Sequence, residues 1–164
     1  MLSALIRIND YIIKVTKIIT VAAFSVMVVA STAQVLFRFV LNLPLGWTEE
    51  LSRYMFVWST MLGTSIFIRK REHSSVDVLA AYLPKKYRRS LYLLIDVLCL
   101  VFFVVMIAGG ITVTKVAMDA VSPALNIPMG LVYISVPVSG FIMFSMTLEN
   151  IIKSLKDRRE ASAQ

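Results

Sequence analysis

The 164-residue chain has one cysteine, Cys99, and one histidine, His73. A lone thiol forms no internal disulfide, and one Cys with one His cannot furnish the four ligands of a structural zinc site. Cys99 stands inside an apolar run and reads as a small buried hydrophobe. There is no glycine-rich phosphate loop. No Ser-His-Asp set exists either, because the single histidine sits in a loop among charged neighbours. An enzyme thus has no recognisable constellation to work with. Acid is scarce: 10 Asp and Glu stand against 17 Lys and Arg, giving a net charge of +7. Such an excess can mean nucleic acid or the cytoplasmic side of a membrane protein, and the placement of the charges decides between them.

What the chain has in excess is apolar surface, 58% of its residues, with a mean hydropathy of +0.78. A soluble domain of this size cannot hide that much in one core. A transmembrane helix needs about 20 mostly apolar residues. Four segments fit: 18–37, 51–68, 90–114 and 129–148. The first resembles a signal peptide, with Ser31-Thr32-Ala33 as a weak cleavage pattern. Its apolar run continues through Val35, Leu36 and Phe37, so it reads as a retained span. Every Lys and Arg except Arg38, Arg53 and Lys115 falls before the first span, between the second and third, or after the fourth. That asymmetry argues against nucleic acid and puts both termini in the cytoplasm.

Two shorter segments are expected to lie flat on the cytoplasmic interface. In "LSALIRINDYIIKVTK", with the helix expected over 3–17, Arg7, Asp10, Lys14 and Lys17 form a stripe, with Leu5, Ile8 and Ile12 among the apolar remainder. In 75–83, Val76, Leu79, Ala80 and Leu83 form an apolar face after a capping-box spacing of Ser74 and Asp77, and Pro84 ends it. A frayed linker is the competing reading for both. No linker separates a second domain, so 1–164 reads as one membrane domain. "KDRREASAQ" reads as a solvated tail. The fold class expected is all-α integral membrane, four transmembrane helices with two amphipathic interfacial helices.

Several polar groups inside the spans need weighing. Asp96 lies within two helical turns of the cytoplasmic end of the third span. An intramembrane carboxylate is a functional candidate by default. Against that, a proton relay needs a chain of such groups, and none follows at that depth. The structural reading, pairing with a base such as Arg69 or Lys17 or reaching water, is preferred. Ser31, Gln34 and Arg38 share a face and suit interhelical hydrogen bonds, with Arg38 reaching outward. Gly109-Gly110 suits close helix approach or a local bend, with a substrate-binding break the weaker reading, and Ser59 with Gly63 suits close helix approach. Pro137 is expected to kink the last span. At the outer end of the second span, Glu49 and Glu50 stand four and three residues before Arg53, both good helical pairings. Tyr54 and Trp58 continue the Glu50 face and suit packing against protein. Arg69 anchors the cytoplasmic end.

The pattern "EExxRYxxxWxxxLG", then an arginine and "HxxVD", resembles the small membrane subunit of tripartite ATP-independent periplasmic (TRAP) transporters. It is carried by Glu49, Glu50, Arg53, Tyr54, Trp58, Leu62, Gly63, Arg69, His73, Val76 and Asp77. "SPALNIPMGLVYISVPVSG", from Ser122 to Gly140, resembles the same family. The resemblance implies a scaffold subunit in a bacterial inner membrane. It would pack on a large multi-helix membrane subunit, expected here as a separate chain, that binds substrate and sodium itself. A periplasmic substrate-binding protein would deliver an organic-acid anion such as a C4-dicarboxylate or sialic acid. On that expectation this chain needs no cofactor and has no catalytic, substrate or metal residues of its own. Partner-interface or anchor candidates are Glu49, Glu50, Arg53, Tyr54, Trp58, Gly63, Arg69, His73 and Asp77. Periplasmic docking candidates are Asn42, Trp47, Asp119 and Asn126. The alternative is a self-sufficient four-span proton-coupled transporter using Asp96.

Overall fold

The computed structural model describes residues 2–43, 45–70 and 85–161. The described chain is helical: α1 (Leu2–Phe39), α2 (Gly46–Lys70), α3 (Lys85–Ala117), the short α4 (Gly130–Tyr133) and α5 (Ser135–Ala161). Each expected span falls inside one of these, the last one across α4 and α5 together. The expected flat helix over 75–83, with His73 and Asp77, lies outside the described residues.

α1 corrects one expectation. The chain does not divide into a flat helix over 3–17 and a span after it; one unbroken helix of 38 residues covers both. No Gly or Pro interrupts it. Its inward face near the start is Asn9, Ile13 and Thr16, all buried, while Ile8 of the expected apolar stripe is exposed. Polar Asn9 is turned inward because α5 offers it partners. At about 1.5 Å per residue the helix is about 57 Å long, well beyond a hydrocarbon core of about 30 Å.

Contacts set the directions. Arg69, near the end of α2, meets Asp10 near the start of α1. Gly63 faces Thr20 midway, and Gly46 with Glu49 shares a cavity with Gln34 and Arg38. α2 therefore runs antiparallel to α1 along most of its length. Trp58 reaches Leu131, and Asn150 reaches Ile68, so α4 and α5 run parallel to α2. α3 runs back against them, with Gly110 at Pro137 and Met106 and Ile107 at Gly140. The result is an up-down bundle centred on α5.

Three of these helices contain segments long and apolar enough to cross a membrane: Leu5–Phe39, Leu91–Ala117 and Gly130–Leu155. In the last, 44% of the most apolar stretch is buried inside the bundle, against 6% in α3; α5 is the core and α3 the rim. Side chains of Ile13, Ile68, Phe103, Met143 and Met146 form the apolar centre. Around it the interior uses small hydroxyl residues. Ser65, Ser135 and Ser139 are fully buried, and each returns its hydroxyl to a carbonyl three or four residues back, at 2.6 to 2.7 Å. That satisfies the hydroxyl without a partner helix and lets backbones come close.

Pro137 follows the break between α4 and α5 in the last expected span. It has no N–H to bond Tyr133, where α4 ends, and it falls in the first turn of α5, where a missing donor is tolerated.

Candidate functional site: two interhelical polar clusters

The outer cluster begins with Glu50 in the first turns of α2. Its carboxylate accepts the Ser122 hydroxyl and the amides of Ala124 (3.1 Å) and Leu125 (3.0 Å). Those donors belong to the loop between α3 and α4, which folds back on itself. Ser122 N–H donates to Ile127 at 2.9 Å, and Met129 N–H to Ala120 at 2.8 Å. Asn126 makes the reversal with a φ of 52°, a left-handed conformation that Asn adopts more readily than most residues. Glu50 therefore ties α2 to the far loop, where the spacing alone had also offered it to Arg53. Arg53 bonds Glu49 instead, at 2.8 Å, in an exposed pair whose stabilisation is small.

The Ser122 hydroxyl, then the Leu125 and Ala124 amides and the Arg53 charge, hold the Glu50 carboxyl below its ordinary value, against the opposing effect of lost hydration. A carboxyl depressed in the fold contributes stability that is fully present above pH 4.5 and is lost as pH falls through the lower folded value. Glu50→Gln is expected to remove this contribution at neutral pH, because the amide presents one acceptor and adds a donor facing donors. Hydrogen exchange at Ala124 and Leu125 should accelerate in the variant and lose its acid dependence; unchanged protection at those amides would contradict the tie.

The inner cluster joins three helices. Glu149 of α5 is fully buried. Its Oε2 accepts Asn9 Nδ2 of α1 at 2.7 Å and a guanidinium N–H of Arg69. Its Oε1 stands 2.5 Å from Lys153 Nζ, one turn along the same helix. Arg69 bridges on to Asp10. Asn9 accepts the Ser145 hydroxyl at 2.8 Å, and Asn150 donates to the Ile68 carbonyl at 3.3 Å. One carboxylate, one guanidinium and one amide thus lock the ends of α1, α2 and α5 together. Arg69 is more than an interfacial anchor. Glu149 and Asn9 were not singled out in the sequence, where each looks like one polar residue among charges near a helix end. Asp96 is also buried, at 9% exposure.

Other candidates fall between these clusters or at the outer end. Tyr54 is buried. Trp58 packs inward and donates its indole N–H to the Leu131 carbonyl at 3.2 Å, so its partner is this chain's own α4. A Cβ on Gly63 would lie 3.7 Å from Thr20, ordinary contact. Asn42 turns the chain after α1 with a φ of 54°, and Leu43 N–H returns to the Phe37 carbonyl at 3.0 Å. The Glu50 tie brings the loops carrying Asn42, Asp119 and Asn126 to the same end as Trp47 in the first turn of α2, where all four are exposed. Among the described residues no group of His, Cys, Asp or Glu is arranged to hold a metal.

These features define a multi-pass helical membrane protein whose internal polar groups join helix to helix. Residues 27–157 match the family model described as tripartite ATP-independent periplasmic transporters, DctQ component. The chain belongs to that family. It is 30% identical over 142 residues to the sialic acid TRAP transporter small permease protein SiaQ of Vibrio cholerae, covering 87% of this chain and 82% of the relative. It is 26% identical over 153 residues to the ectoine TRAP transporter small permease protein TeaB of Halomonas elongata, 92% and 79% of the two chains. It is also 31% identical over 123 residues to the sialic acid TRAP transporter permease protein SiaT of Haemophilus influenzae. That match covers 75% of this chain and 19% of the longer relative.

Proposed function

We propose that this chain is the small scaffold subunit of a sodium-coupled importer of organic-acid anions in a bacterial inner membrane. It packs on a separate large permease subunit, which binds the substrate and sodium. A periplasmic substrate-binding protein docks on the end that carries Asn42, Trp47, Asp119 and Asn126. The observation that carries this reading is how the buried charge is used. Glu149 and Arg69 are spent on locking α1, α2 and α5 together, which suits a rigid element against which another subunit moves. Relatives of similar length carry different substrates in their names, sialic acid and ectoine, in keeping with selectivity seated in another subunit.

The same reading has all four long helices crossing the membrane with both termini cytoplasmic. α2 falls short of the apolarity of a free-standing span, yet it lies antiparallel along α1 from the level of Gln34 to that of Asp10. A helix that accompanies a span over that length crosses with it. The lysine and arginine excess then lies at the inner end.

The test is reconstitution. Proteoliposomes holding this chain alone should show no uptake. Those holding it with its large subunit should take up substrate when a sodium gradient and the periplasmic protein are supplied. Asp96→Asn should leave that uptake at the wild-type rate. Sodium- or proton-driven transport by the chain alone, abolished by Asp96→Asn, would replace the scaffold reading with a self-sufficient transporter.

A further inference from the structure

We infer that the outward stripe of α2, with the adjoining face of α1, is the surface on which a transmembrane helix of the large permease subunit packs; this rests on the small-subunit reading above. The exposed residues of α2 below its outer end are Phe56, Thr60, Thr64 and Phe67. They recur at i, i+4, i+8 and i+11 and so form one stripe along the helix. Both phenylalanines are more than half exposed. Beside the stripe a groove of about 270 Å³ runs between α1 and α2, lined in part by Thr20, Phe24, Phe56 and Thr60.

Two features say what kind of cover this face needs. First, α2 is the one long helix that is not apolar enough to stand as a span by itself, although it accompanies α1 throughout. Second, the face carries hydroxyls. Thr60 and Thr64 are exposed one turn apart on it, and the Thr64 hydroxyl bonds the Thr60 carbonyl at 2.9 Å. Lipid tails offer exposed hydroxyls no hydrogen bond. A neighbouring helix can supply an acceptor and pack closely over threonines. The outer face of α3 makes the contrast. Its exposed Leu98, Val101, Phe102 and Val105 are pure hydrocarbon, which lipid matches as well as protein does.

The occupant follows from the size of one relative. In SiaT the segment matching this chain is 19% of the polypeptide. The remaining four-fifths belongs to the same permease and must lie in or at the same membrane. The occupant of the α2 face is the part of the permease that corresponds to that remainder, rather than a second copy of this chain.

Site-directed photocrosslinking tests the face. Cys99 is the only cysteine, so Cys99→Ala gives a clean background for Thr64→Cys or Val105→Cys. Each variant is labelled with benzophenone maleimide in membranes that co-express the large subunit, then irradiated. Thr64→Cys should shift the chain to the summed mass of the two subunits, while Val105→Cys should yield lipid adducts alone. A homodimer adduct or only lipid adducts from Thr64→Cys would overturn the inference. So would subunit adducts confined to Val105→Cys. If no large partner co-purifies with the tagged wild-type chain, the small-subunit reading fails and takes this inference with it; a partner that co-purifies but crosslinks from α3 overturns the α2 face alone.

Discussion

Arg69→Ala is expected to open the inner end of the bundle and to produce the largest stability loss of any single substitution in the chain. The guanidinium is the link between Asp10 on α1 and Glu149 on α5. Its removal leaves the fully buried Glu149 with Asn9 and the partly exposed Lys153 as its remaining partners. Breaking one side of a buried ion pair typically costs about 3–5 kcal/mol, mostly because the other charge is stranded without water. Related variants should rank in a definite order. Arg69→Lys is expected to fall between wild type and alanine, since one ammonium cannot match the two-sided fork of a guanidinium. Glu149→Gln should be milder, because the largely buried Arg69 keeps exposed Asp10 as its partner and no buried charge is stranded. Joint replacement of Arg69 by Met and Glu149 by Leu should recover much of the loss, because a well-packed apolar pair strands no charge. Thermal unfolding of the detergent-purified chain checks the series. Equal midpoints for Arg69→Ala and wild type would show that the cluster does not hold the helices.

The helices were legible in the sequence because apolar runs of span length have few other uses; the first three expected spans lie within single helices, and the fourth runs across α4 and α5. The continuity of α1 was not. The stripe of Arg7, Lys14 and Lys17 does point outward, but a stripe reports exposure and says nothing of whether the helix bends at the membrane surface. The start of α1 is tied into the bundle by the inward bond of Asn9 to Glu149, between residues 140 positions apart. Distance in sequence, 72 residues to Ser122, likewise hid the true partner of Glu50. Its helical spacing to Arg53 was sound chemistry, yet the Ser122 hydroxyl and two loop amides outcompete an exposed arginine. Trp58 was expected to pack against protein, and its indole N–H bonds the Leu131 carbonyl of α4 in the same chain. Pairings within one turn can be read from spacing; pairings between helices follow from the bundle, which spacing does not encode.

Gly110 gives the second large effect, and its neighbour supplies the control. A Cβ at Gly110 would stand 2.8 Å from Pro137 Cδ and 3.0 Å from its backbone nitrogen. Neither atom can retreat: the ring fixes its own φ, and the nitrogen belongs to the first turn of α5. α3 must then move away from α5, which also disturbs the tight approach of Met106 and Ile107 to Gly140. Overpacking of this kind costs about 1–3 kcal/mol, so Gly110→Ala should clearly lower the unfolding midpoint and Gly110→Leu should prevent stable α3 docking. Gly109→Ala should do neither. Nothing lies within 4 Å of its added Cβ, and exchanging Gly for Ala inside a helix favours the fold by about 1 kcal/mol. Two adjacent glycines on one helix are therefore expected to shift the midpoint in opposite directions. A bend at the glycine pair would make both substitutions harmful, so a raised midpoint for Gly109→Ala with a lowered one for Gly110→Ala assigns the motif to helix approach, at Gly110 alone.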